Sequence, residues 1–371
     1  MKSAKRRKLL IVGAFLSKQK QVYGGVARSC DMLMASSFSQ RFDIVTVDST
    51  TISNPPPGFS VRLLLAAKRF VIFLYKVMRH RPDGVVLFTS SGASFIEKSL
   101  MALLARLLGC RSYIFPRAGA LITQTENTKV IYLLVKILLR GAHIFLSQGK
   151  TWSDFAVGPM GLSPSRVYLI PNWTATDAQL SIGRQRDFSE QVRPKILFVG
   201  WLEAFKGVFE LLEAALRLHR KGFVFKLTLA GRGNAEQSAR KFVLENGLES
   251  VVDFVGWVGL EDLGRLYSEH NIFVLPSWAE GLPNSMIEAM AAGLAVVVTR
   301  VGMVPDYLVD GEHALLIPAK NKVALEFAIE KLLVDSPLRR KLAQNGFELT
   351  LRVFAVDTAV VNFSEVIEKT L

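Results

Sequence analysis

The sequence predicts an α/β protein made of two doubly wound, Rossmann-like domains that face a cleft. The chain has 371 residues, which is enough for two domains of ordinary size. Hydrophobic residues make up 50% of it and charged residues 21%, as in globular proteins with sizeable cores. Short apolar runs alternate with longer helical patterns in both halves. This alternation is typical of parallel sheets with helices on both faces.

The first half supplies five predicted strands and four predicted helices. The strands are short apolar runs at 9–12, 42–47, 84–88, 112–115 and 144–147. The helices are the longer amphipathic patterns at 26–38, 61–78, 94–108 and 130–139. Three consecutive prolines, Pro55 to Pro57, place a loop at 50–60, because proline supplies no amide hydrogen to a helix or a central strand.

The second half repeats the same scheme. Strands are predicted at 196–199, 225–229, 251–255, 272–275, 295–298 and 314–317, and helices at 208–220, 235–246, 263–269, 283–292 and 323–334. Residues 181–193 are polar without periodicity and are the best candidate for a linker. We therefore expect a first domain at 1–175, a linker at 176–194, a second domain at 195–352, and a C-terminal helix at 353–371 that could cross back to the first domain.

Charge is distributed unevenly between the halves. Residues 1–175 hold 24 Lys/Arg and 7 Asp/Glu (24 − 7 = +17), and residues 176–371 hold 22 and 25 (22 − 25 = −3), which together give the +14 of the chain. A basic first half indicates an anionic partner, and nucleic acid and an anionic membrane surface are the obvious candidates. The helical pattern at 61–81 combines six basic residues with many aliphatic ones and could lie among lipid headgroups, or pack as an ordinary amphipathic helix on its own sheet.

The sequence favours a cytoplasmic chain that is peripheral on the inner face of the membrane. Five of the first eight residues are basic, but the apolar run that follows, 9–12, is too short for a signal-peptide core. No stretch reaches about 18 uninterrupted apolar residues, so a spanning helix is not expected.

A metal site is not expected either. Cys30 and Cys110 both lie in apolar stretches and are interpreted as buried free thiols. The five histidines are scattered, and no Asp-x-Asp pair is present to hold a divalent ion against a diphosphate. Nucleophile-elbow and zinc-protease motifs are absent, and so is a complete dinucleotide fingerprint.

The densest group of chemistry-bearing residues follows the strand at 272–275. Pro283 suits the first position of a helix, and Gly293 suits its end. Glu280 lies before this helix and Glu288 lies inside it. The free amides of a helix start form an anion site, and carboxylates accept hydrogen bonds from neighbouring hydroxyls. The pattern suits a ligand with phosphates and hydroxyls, although a capped helix with two solvated glutamates would look the same.

Four weaker candidates also follow predicted strands or open helices. Lys206 lies in the turn between the strand at 196–199 and a helix, as a phosphate-binding lysine would. Gly231-Arg232-Gly233 and Gly24-Gly25 allow close approach of the backbone to a ligand. Arg117 lies two residues after the strand at 112–115 and is expected to point into the cleft. Each could equally be a surface loop residue when taken alone.

Taken together, these pieces resemble the retaining glycosyltransferases of family 4, over essentially the whole chain. The strongest match is the Glu-x7-Glu segment from Glu280 to Glu288. The other matching pieces, in the same order as in the family, are Gly24-Gly25-Val26, Pro171-Asn172, Lys206-Gly207, Ala230-Gly231-x-Gly233, Phe254-Val255-Gly256, Val301-Gly302 and Asp310-Gly311. The resemblance implies the two-domain GT-B fold.

The resemblance also implies a role for each matched residue. Glu288 would hold the ribose hydroxyls of a nucleotide sugar, Glu280 would contact the transferred sugar, and Lys206 would neutralise the departing diphosphate. The remaining donor-binding residues implied are Gly24, Gly25, Gly231, Arg232, Gly233, Gly256, Gly281, Leu282, Pro283 and Asn284. Two positions depart from the family pattern: Trp201 stands where members often carry arginine, and Arg117 where many carry histidine. Lys206 would then share its phosphate role with Arg232 or Arg117, and Arg117 is a candidate catalytic residue.

The function implied is transfer of a hexose, with retention, from a nucleotide-diphosphate sugar (a UDP-sugar by family frequency) to a glycan or lipid-linked saccharide. Such acceptors belong to the synthesis of cell-surface polysaccharides such as lipopolysaccharide or exopolysaccharide. No cofactor is expected, since the nucleotide sugar is a substrate. The alternatives are a non-hydrolysing sugar-nucleotide epimerase on the same fold, a catalytically silent nucleotide-sugar-binding subunit, and a nucleic-acid-binding protein. The last lacks basic motifs with interleaved stacking aromatics.

Overall fold

A computed structural model describes residues 6–15, 25–50, 58–188 and 194–371. The chain divides into two compact units. Unit 1 comprises Met1–Thr174 together with Val356–Leu371, and unit 2 comprises Ala175–Ala355. Each unit is built on a six-stranded sheet in which every strand pair is parallel. The predicted α/β class with two doubly wound halves is therefore confirmed.

The sheet of unit 1 has the order β2-β1-β3-β4-β5-β6. Its strands are β1 (Lys8–Gly13), β2 (Asp43–Asp48), β3 (Gly84–Thr89), β4 (Arg111–Pro116), β5 (Ile144–Ser147) and β6 (Val167–Leu169). Every residue of β3 and β5 is buried, as expected for strands covered on both faces. The chain passes from β1 to β2 on one side and then to β3 on the other, so the strand order reverses between β1 and β3.

In the described part of unit 1, seven helices connect these strands. They are α1 (Gly25–Ala35), α2 (Phe38–Arg41), α3 (Phe59–His80), α4 (Ala93–Leu107), α5 (Ala120–Asn127), α6 (Lys129–Leu139) and α7 (Lys150–Val157). The prediction of one helix over 26–38 is wrong. The Ser36 hydroxyl donates to the Leu33 carbonyl at 2.6 Å and accepts from the Phe38 amide at 3.3 Å. This local bonding competes with the helix and separates α1 from α2.

The sheet of unit 2 has the order β12-β11-β10-β7-β8-β9. Its strands are β7 (Lys195–Val199), β8 (Lys226–Ala230), β9 (Val252–Gly256), β10 (Ile272–Leu275), β11 (Ala295–Thr299) and β12 (Leu315–Ile317). From β7 the chain runs to β8 and β9 on one side, and then returns to β10 on the other side of β7. The strand order therefore reverses between β7 and β10, where Ile272 pairs with Ile196.

The helices of unit 2 are α8 (Asp177–Gln185), α9 (Val208–Arg220), α10 (Glu236–Glu245), α11 (Leu260–Glu269), α12 (Asn284–Ala291), α13 (Val304–Tyr307), α14 (Lys322–Val334) and α15 (Ser336–Val353). Helix α8 occupies the first part of the segment expected to be a linker, and a capping box of Thr176 and Gln179 begins it. Residues 189–193 of that segment lie outside the described residues, as do the three prolines at 55–57.

The last helix, α16 (Val356–Thr370), belongs to unit 1 although it follows α15 of unit 2. Its Phe363 ring stacks on Phe38 at 5.2 Å and on Trp173 at 5.4 Å between centroids. These rings are part of a core that also receives side chains from β1, β3 and β4. The C-terminal residues therefore complete the core of the N-terminal unit.

Two further expectations concern cysteines and membrane spans. Cys30 and Cys110 are both described, and both are buried free thiols, as predicted. Burial raises the pKa of the Cys30 thiol to about 12. Within the described parts of the chain, no helix combines the length and the apolar character needed to cross a bilayer.

Candidate active site

The reversal between β7 and β10 in unit 2 brings two loops together at the carboxyl ends of the strands. One loop follows β7 and leads to α9, and the other follows β10 and leads to α12. In open parallel sheets, ligands bind outside the carboxyl ends of the strands at such a reversal. Lys206 lies in the first loop and Glu280 in the second. The topology thus places these two predicted site residues of unit 2 at the position where a ligand is expected.

Lys206 and Glu280 form an ion pair. The Lys206 Nζ atom lies 2.5 Å from Glu280 Oε1, and the two side chains are 17% and 11% exposed. A charge-assisted bond in this partly buried setting fixes both groups, since neither is surrounded by bulk water. The interpretation of either residue as an isolated solvated charge is therefore wrong.

Glycine at 207 allows the two loops to approach each other. Gly207 has φ = +74°, and a Cβ at this position would lie 2.2 Å from the Pro276 carbonyl oxygen. The Trp278 amide also donates to the Phe205 carbonyl at 2.8 Å. The contact between the loops is thus made by backbone atoms, and a side chain at 207 would push Lys206 away from Glu280.

Two residues that the sequence reasoning missed anchor the second loop. The indole Nε1 of Trp278 donates to Glu210 Oε1 at 3.0 Å, and Glu210 is a buried residue in the first turn of α9. Glu210 Oε2 is buried and has no hydrogen-bond partner among the described residues. On the Trp278 ring lies Lys320 Nζ, 4.4 Å from the centroid. The sequence does show a glutamate among the apolar residues of α9, which could have indicated a buried polar contact. It does not indicate the partner, because Trp278 lies 68 positions away.

Glu288 is buried in α12 and is oriented by a tyrosine. It is 3% exposed, and the Tyr267 hydroxyl of α11 donates to its Oε2 at 3.0 Å. The alternative with two solvated glutamates is thus excluded for Glu288 as well. A buried carboxylate held in one orientation is suited to accept hydrogen bonds from a ligand with defined hydroxyl positions.

The start of α12 is fixed by the turn that follows β11. The Met303 amide donates to the Gly281 carbonyl at 2.9 Å. Gly302 has φ = +56°, and a Cβ there would lie 2.3 Å from the Glu280 carbonyl oxygen. The helix begins at Asn284, one residue after the predicted Pro283, and Leu282 and Pro283 are buried before it. The positive end of the α12 dipole therefore lies four residues after Glu280, the ion-pair partner of Lys206.

The glycines after β8 and β9 approach the loop after β7. The Gly231 amide donates to the Gly256 carbonyl at 2.7 Å. A Cβ on Gly231 would lie 1.8 Å from the Gly200 carbonyl oxygen, and one on Gly233 would lie 2.3 Å from the Leu202 carbonyl oxygen. Arg232 is exposed at this edge, with its Nε beside Gly256. Packing of the loops alone accounts for these glycines, so their predicted donor contacts remain predictions.

The predicted residues of unit 1 form a separate group. Arg117 follows β4, and its Nη2 donates to Ser29 Oγ at 2.9 Å. Its guanidinium lies 4.8 Å from the Phe115 ring and 5.0 Å from the Trp173 ring. Gly25 begins α1 and accepts the Ser29 hydroxyl at 2.9 Å. Gly24 lies outside the described residues. Arg117 is therefore a positioned, half-buried cation, and its role toward a phosphate stays a prediction.

Over the described residues, no group of three or more His, Cys, Asp or Glu side chains could hold a metal ion. The expectation of a metal-independent reaction remains a prediction.

Part of the chain is similar in sequence to known glycosyltransferases. Residues 184–349 match the family model described as Glycosyl transferases group 1. Alpha-D-kanosaminyltransferase of Streptomyces kanamyceticus is 30% identical over 184 residues, which is 50% of this chain and 47% of that protein. Lipopolysaccharide core biosynthesis glycosyltransferase LpsE of Rhizobium meliloti is 28% identical over 189 residues, 51% of this chain and 54% of that protein. The chain thus spans about half the length of the curated relatives it matches.

The fold likeness extends over the whole chain. Sucrose-phosphate synthase from Thermosynechococcus elongatus superposes with a TM-score of 0.75 at 18% identity, covering 98% of this chain and 99% of that one. The GT-B fold implied by the sequence is therefore confirmed. Residues 184–349 are thus similar to group 1 glycosyl transferases, and the fold of the chain is that of GT-B proteins. Lys206, Glu280 and Glu288 all lie in the matched region.

Proposed function

We propose that this protein is a retaining glycosyltransferase of family 4 that transfers a hexose from a nucleotide-diphosphate sugar, with UDP-sugar as the first candidate. The acceptor is a glycan or lipid-linked saccharide in surface polysaccharide synthesis. The observation that carries the proposal is the Lys206–Glu280 pair, 2.5 Å apart at the strand-order reversal of unit 2. The matched family region and the printed function of LpsE support the choice of reaction and pathway.

The pair suits a reaction in which a diphosphate leaves. The bond between the sugar C1 and the diphosphate oxygen breaks, and its electron pair goes to the diphosphate. Lys206 is placed to transfer its hydrogen bonds from Glu280 to that oxygen, and the positive end of the α12 dipole adds to the stabilisation. Glu280 then accepts hydrogen bonds from hydroxyls of the sugar.

Retention follows if the acceptor attacks from the side that the diphosphate leaves. The acceptor oxygen bonds to C1, and its proton passes to a diphosphate oxygen. This route needs no carboxylate nucleophile, because the charge that develops is on the leaving group and the sugar ring. We assign the diphosphate charge to Lys206 and backbone amides rather than to a metal ion.

Glu288 is assigned to the ribose of the donor. Its carboxylate is buried and oriented by Tyr267 at 3.0 Å, so it can accept from two adjacent hydroxyls with little rearrangement.

The test is a thermal-shift screen with UDP-, GDP- and ADP-sugars, followed by transfer assays with the donor that binds. A donor at about 100 times its dissociation constant should stabilise the protein by about 2.7 kcal/mol. NMR of the product should show the anomeric configuration of the donor. An inverted product would contradict the retaining route. Binding without hydrolysis or transfer to any tested acceptor would favour the silent subunit, and absence of binding would contradict the proposal.

A further inference from the structure

Helix α3 of unit 1 is packed against the protein over only part of its length. It has 22 residues, all of them described, and only Phe73 and Val77 are buried. Its first turns carry large apolar side chains in solvent: Phe59 is 78% exposed, Leu63 61% and Leu64 71%. Monomeric proteins seldom leave a contiguous apolar surface of this kind uncovered.

The neighbouring helices extend this surface. Helix α3 contacts α4, and α4 contacts α6. Exposed aliphatic side chains of α4 and α6 and the residue after α4 are Ile96, Leu100, Leu103, Leu107, Leu108, Val130, Leu133, Leu134 and Ile137. We call the outward surface of α3, α4 and α6 the basic apolar face.

The charge of this region is strongly positive. Residues 58–81, 93–108 and 120–140 contain 11 Lys/Arg and 2 Asp/Glu, which gives 11 − 2 = +9. One of the two acids, Glu97, is 11% exposed and is bonded to Arg69 Nε at 2.8 Å and to Lys98 Nζ at 2.9 Å. The other, Glu126, is exposed on α5 rather than on the three helices of the face. Not every cation of these ranges faces outward, because Lys98 is buried and Lys76 Nζ donates to the Thr46 carbonyl at 2.7 Å. The cations of the three helices that are exposed beside the aliphatic side chains are Arg62, Lys68, Arg79, Arg106 and Lys129.

Charge and chemistry select the partner. A second copy of this chain would bring one basic surface against another, which like-charge repulsion opposes. A single-stranded nucleic acid binds through stacking aromatics beside its basic groups, whereas the exposed side chains here are mostly leucine, valine and isoleucine. An anionic bilayer accepts both kinds of group, with aliphatic side chains at the headgroup boundary and cations among the phosphates.

We propose that the basic apolar face docks this protein on an anionic phospholipid surface, with the first turns of α3 entering the headgroup region. The proposal goes beyond the glycosyltransferase reaction and does not depend on it. The basic first half of the chain indicated an anionic partner, and the proposal assigns the binding of that partner to helices α3, α4 and α6.

The experiment is co-sedimentation of the full chain with vesicles of phosphatidylcholine alone or mixed with phosphatidylglycerol. Binding should require phosphatidylglycerol and should fall as salt is added. A variant with Phe59→Ser, Leu63→Ser and Leu64→Ser removes exposed apolar groups, and one with Arg62→Glu and Lys68→Glu reverses exposed charges. The charge-reversal variant should lower the vesicle partition coefficient by about tenfold or more, since each basic group near such a surface contributes about 1 kcal/mol. The serine variant should lower it by a similar factor, because binding strength also scales with the apolar area buried.

Matched controls come from α14 of unit 2. Phe327 is 66% exposed and Lys331 is also exposed. Phe327→Ser removes an exposed apolar group and Lys331→Glu reverses an exposed charge, both outside the basic apolar face. Both variants should leave the vesicle partition coefficient unchanged. Thermal melts with and without UDP-sugar show whether the variants are folded and whether donor binding survives, so loss of docking is separable from failure of the proposed function. Equal binding of wild type and both α3 variants would overturn the proposal. So would a dimer, seen by light scattering, that the triple serine variant converts to a monomer.

Discussion

Lys206 and Glu280 illustrate how much a single contact adds to a sequence motif. Each could be predicted as a polar residue after a strand, but their direct bond at 2.5 Å follows from backbone contacts at Gly207 and Trp278. The bond means that the lysine ammonium is held at the site before any ligand arrives. Preorganised charge of this kind stabilises a transition state without a cost of reorganisation.

We therefore expect Lys206→Ala to lower kcat on the order of 100-fold, with a smaller rise in the donor KM. The lysine matters most when diphosphate charge has developed, which is the transition state. Steady-state kinetics with the donor found by the thermal-shift screen measure both constants. Lys206→Arg, which keeps the charge, should recover part of kcat. A rise in KM with unchanged kcat would make Lys206 a binding residue only.

Glu288→Gln should weaken nucleotide binding about 10- to 150-fold, the equivalent of losing one charged hydrogen bond of about 1.5–3 kcal/mol. Isothermal titration with the free nucleotide diphosphate measures the contribution of Glu288 to nucleotide binding separately from any contact with the sugar. Tyr267→Phe is the matched control, because it removes the orienting hydroxyl but keeps the carboxylate, and it should weaken binding less. Unchanged affinity in folded Glu288→Gln protein would contradict the ribose assignment.

The Trp278–Glu210 contact gives a third prediction. Trp278→Phe removes the indole donor and leaves the buried Glu210 carboxylate without that hydrogen bond, which should cost about 1–3 kcal/mol of stability. Glu210→Gln keeps an acceptor for the indole and should cost less. Urea denaturation gives the stabilities, and kcat of the folded variants shows whether the loop carrying Glu280 has moved. Equal stability of Trp278→Phe and wild type would show that this bond contributes nothing.

Tertiary context limited what could be predicted at this scale. Glu280, Glu288 and Lys206 stand out because polar residues follow apolar strands. Glu210 and Trp278 do not, because their significance arises only when α9 and the loop after β10 meet. Tyr267 could not be predicted as a site residue for the same reason. In the sequence it is one aromatic residue on the apolar side of α11, and its contact with Glu288 arises only in the folded protein.

At the scale of elements, buried parallel strands were the most predictable features. The strands β5 and β10 begin and end where the apolar runs at 144–147 and 272–275 indicated. Strand β6 has only three residues, and its apolar pattern is too short to distinguish from a loop. The helix over 26–38 failed because side-chain bonding by Ser36 is a local competitor that periodicity does not register.

His270 joins two elements and makes their stability depend on pH. It is buried after α11. The Leu266 carbonyl, 2.6 Å from Nδ1, can only accept, so Nδ1 carries the hydrogen and Nε2 accepts from the Thr228 hydroxyl of β8 at 2.8 Å. Burial lowers the pKa of His270 from its ordinary value of 6.5. The folded protein therefore holds the neutral ring, and the unfolded chain binds a proton more readily.

The contribution of the neutral His270 ring to the free energy of unfolding should be complete above about pH 6.5. It should decrease as the pH falls from there toward the lower pKa of the folded state. His270→Gln removes the ring with its two hydrogen bonds, so the variant should be less stable than wild type at about pH 8. Because it also removes the titrating group, the variant should lose less stability on acidification. Urea denaturation at several pH values tests this. Parallel pH profiles for the two proteins would contradict it.

At the scale of the whole molecule, the two-unit division was predictable from the repeated strand–helix alternation, whereas the destination of the last helix was not decided by any local pattern. Helix α16 is amphipathic, and such a pattern specifies a buried side without specifying what buries it. Its partner is the aromatic cluster of Phe38, Phe115 and Trp173 in unit 1. The N-terminal core is thus completed only when the end of the chain is present.

This connection gives the last prediction. Phe363 is fully buried among three aromatic rings, so Phe363→Ala should remove about 3–5 kcal/mol of stability from unit 1 through lost burial and the cavity left behind. Hydrogen exchange measured by mass spectrometry resolves where stability is lost. Peptides from β1, β3 and β4 should exchange faster, while peptides from β10 and α12 should keep their protection. Phe327→Ala, at an exposed position of α14, should change exchange in neither unit, because surface substitutions usually stay within about 0.5 kcal/mol. Unchanged protection of β3 and β4 in the Phe363→Ala protein would show that the N-terminal core is stable without the ring that the C-terminal helix supplies.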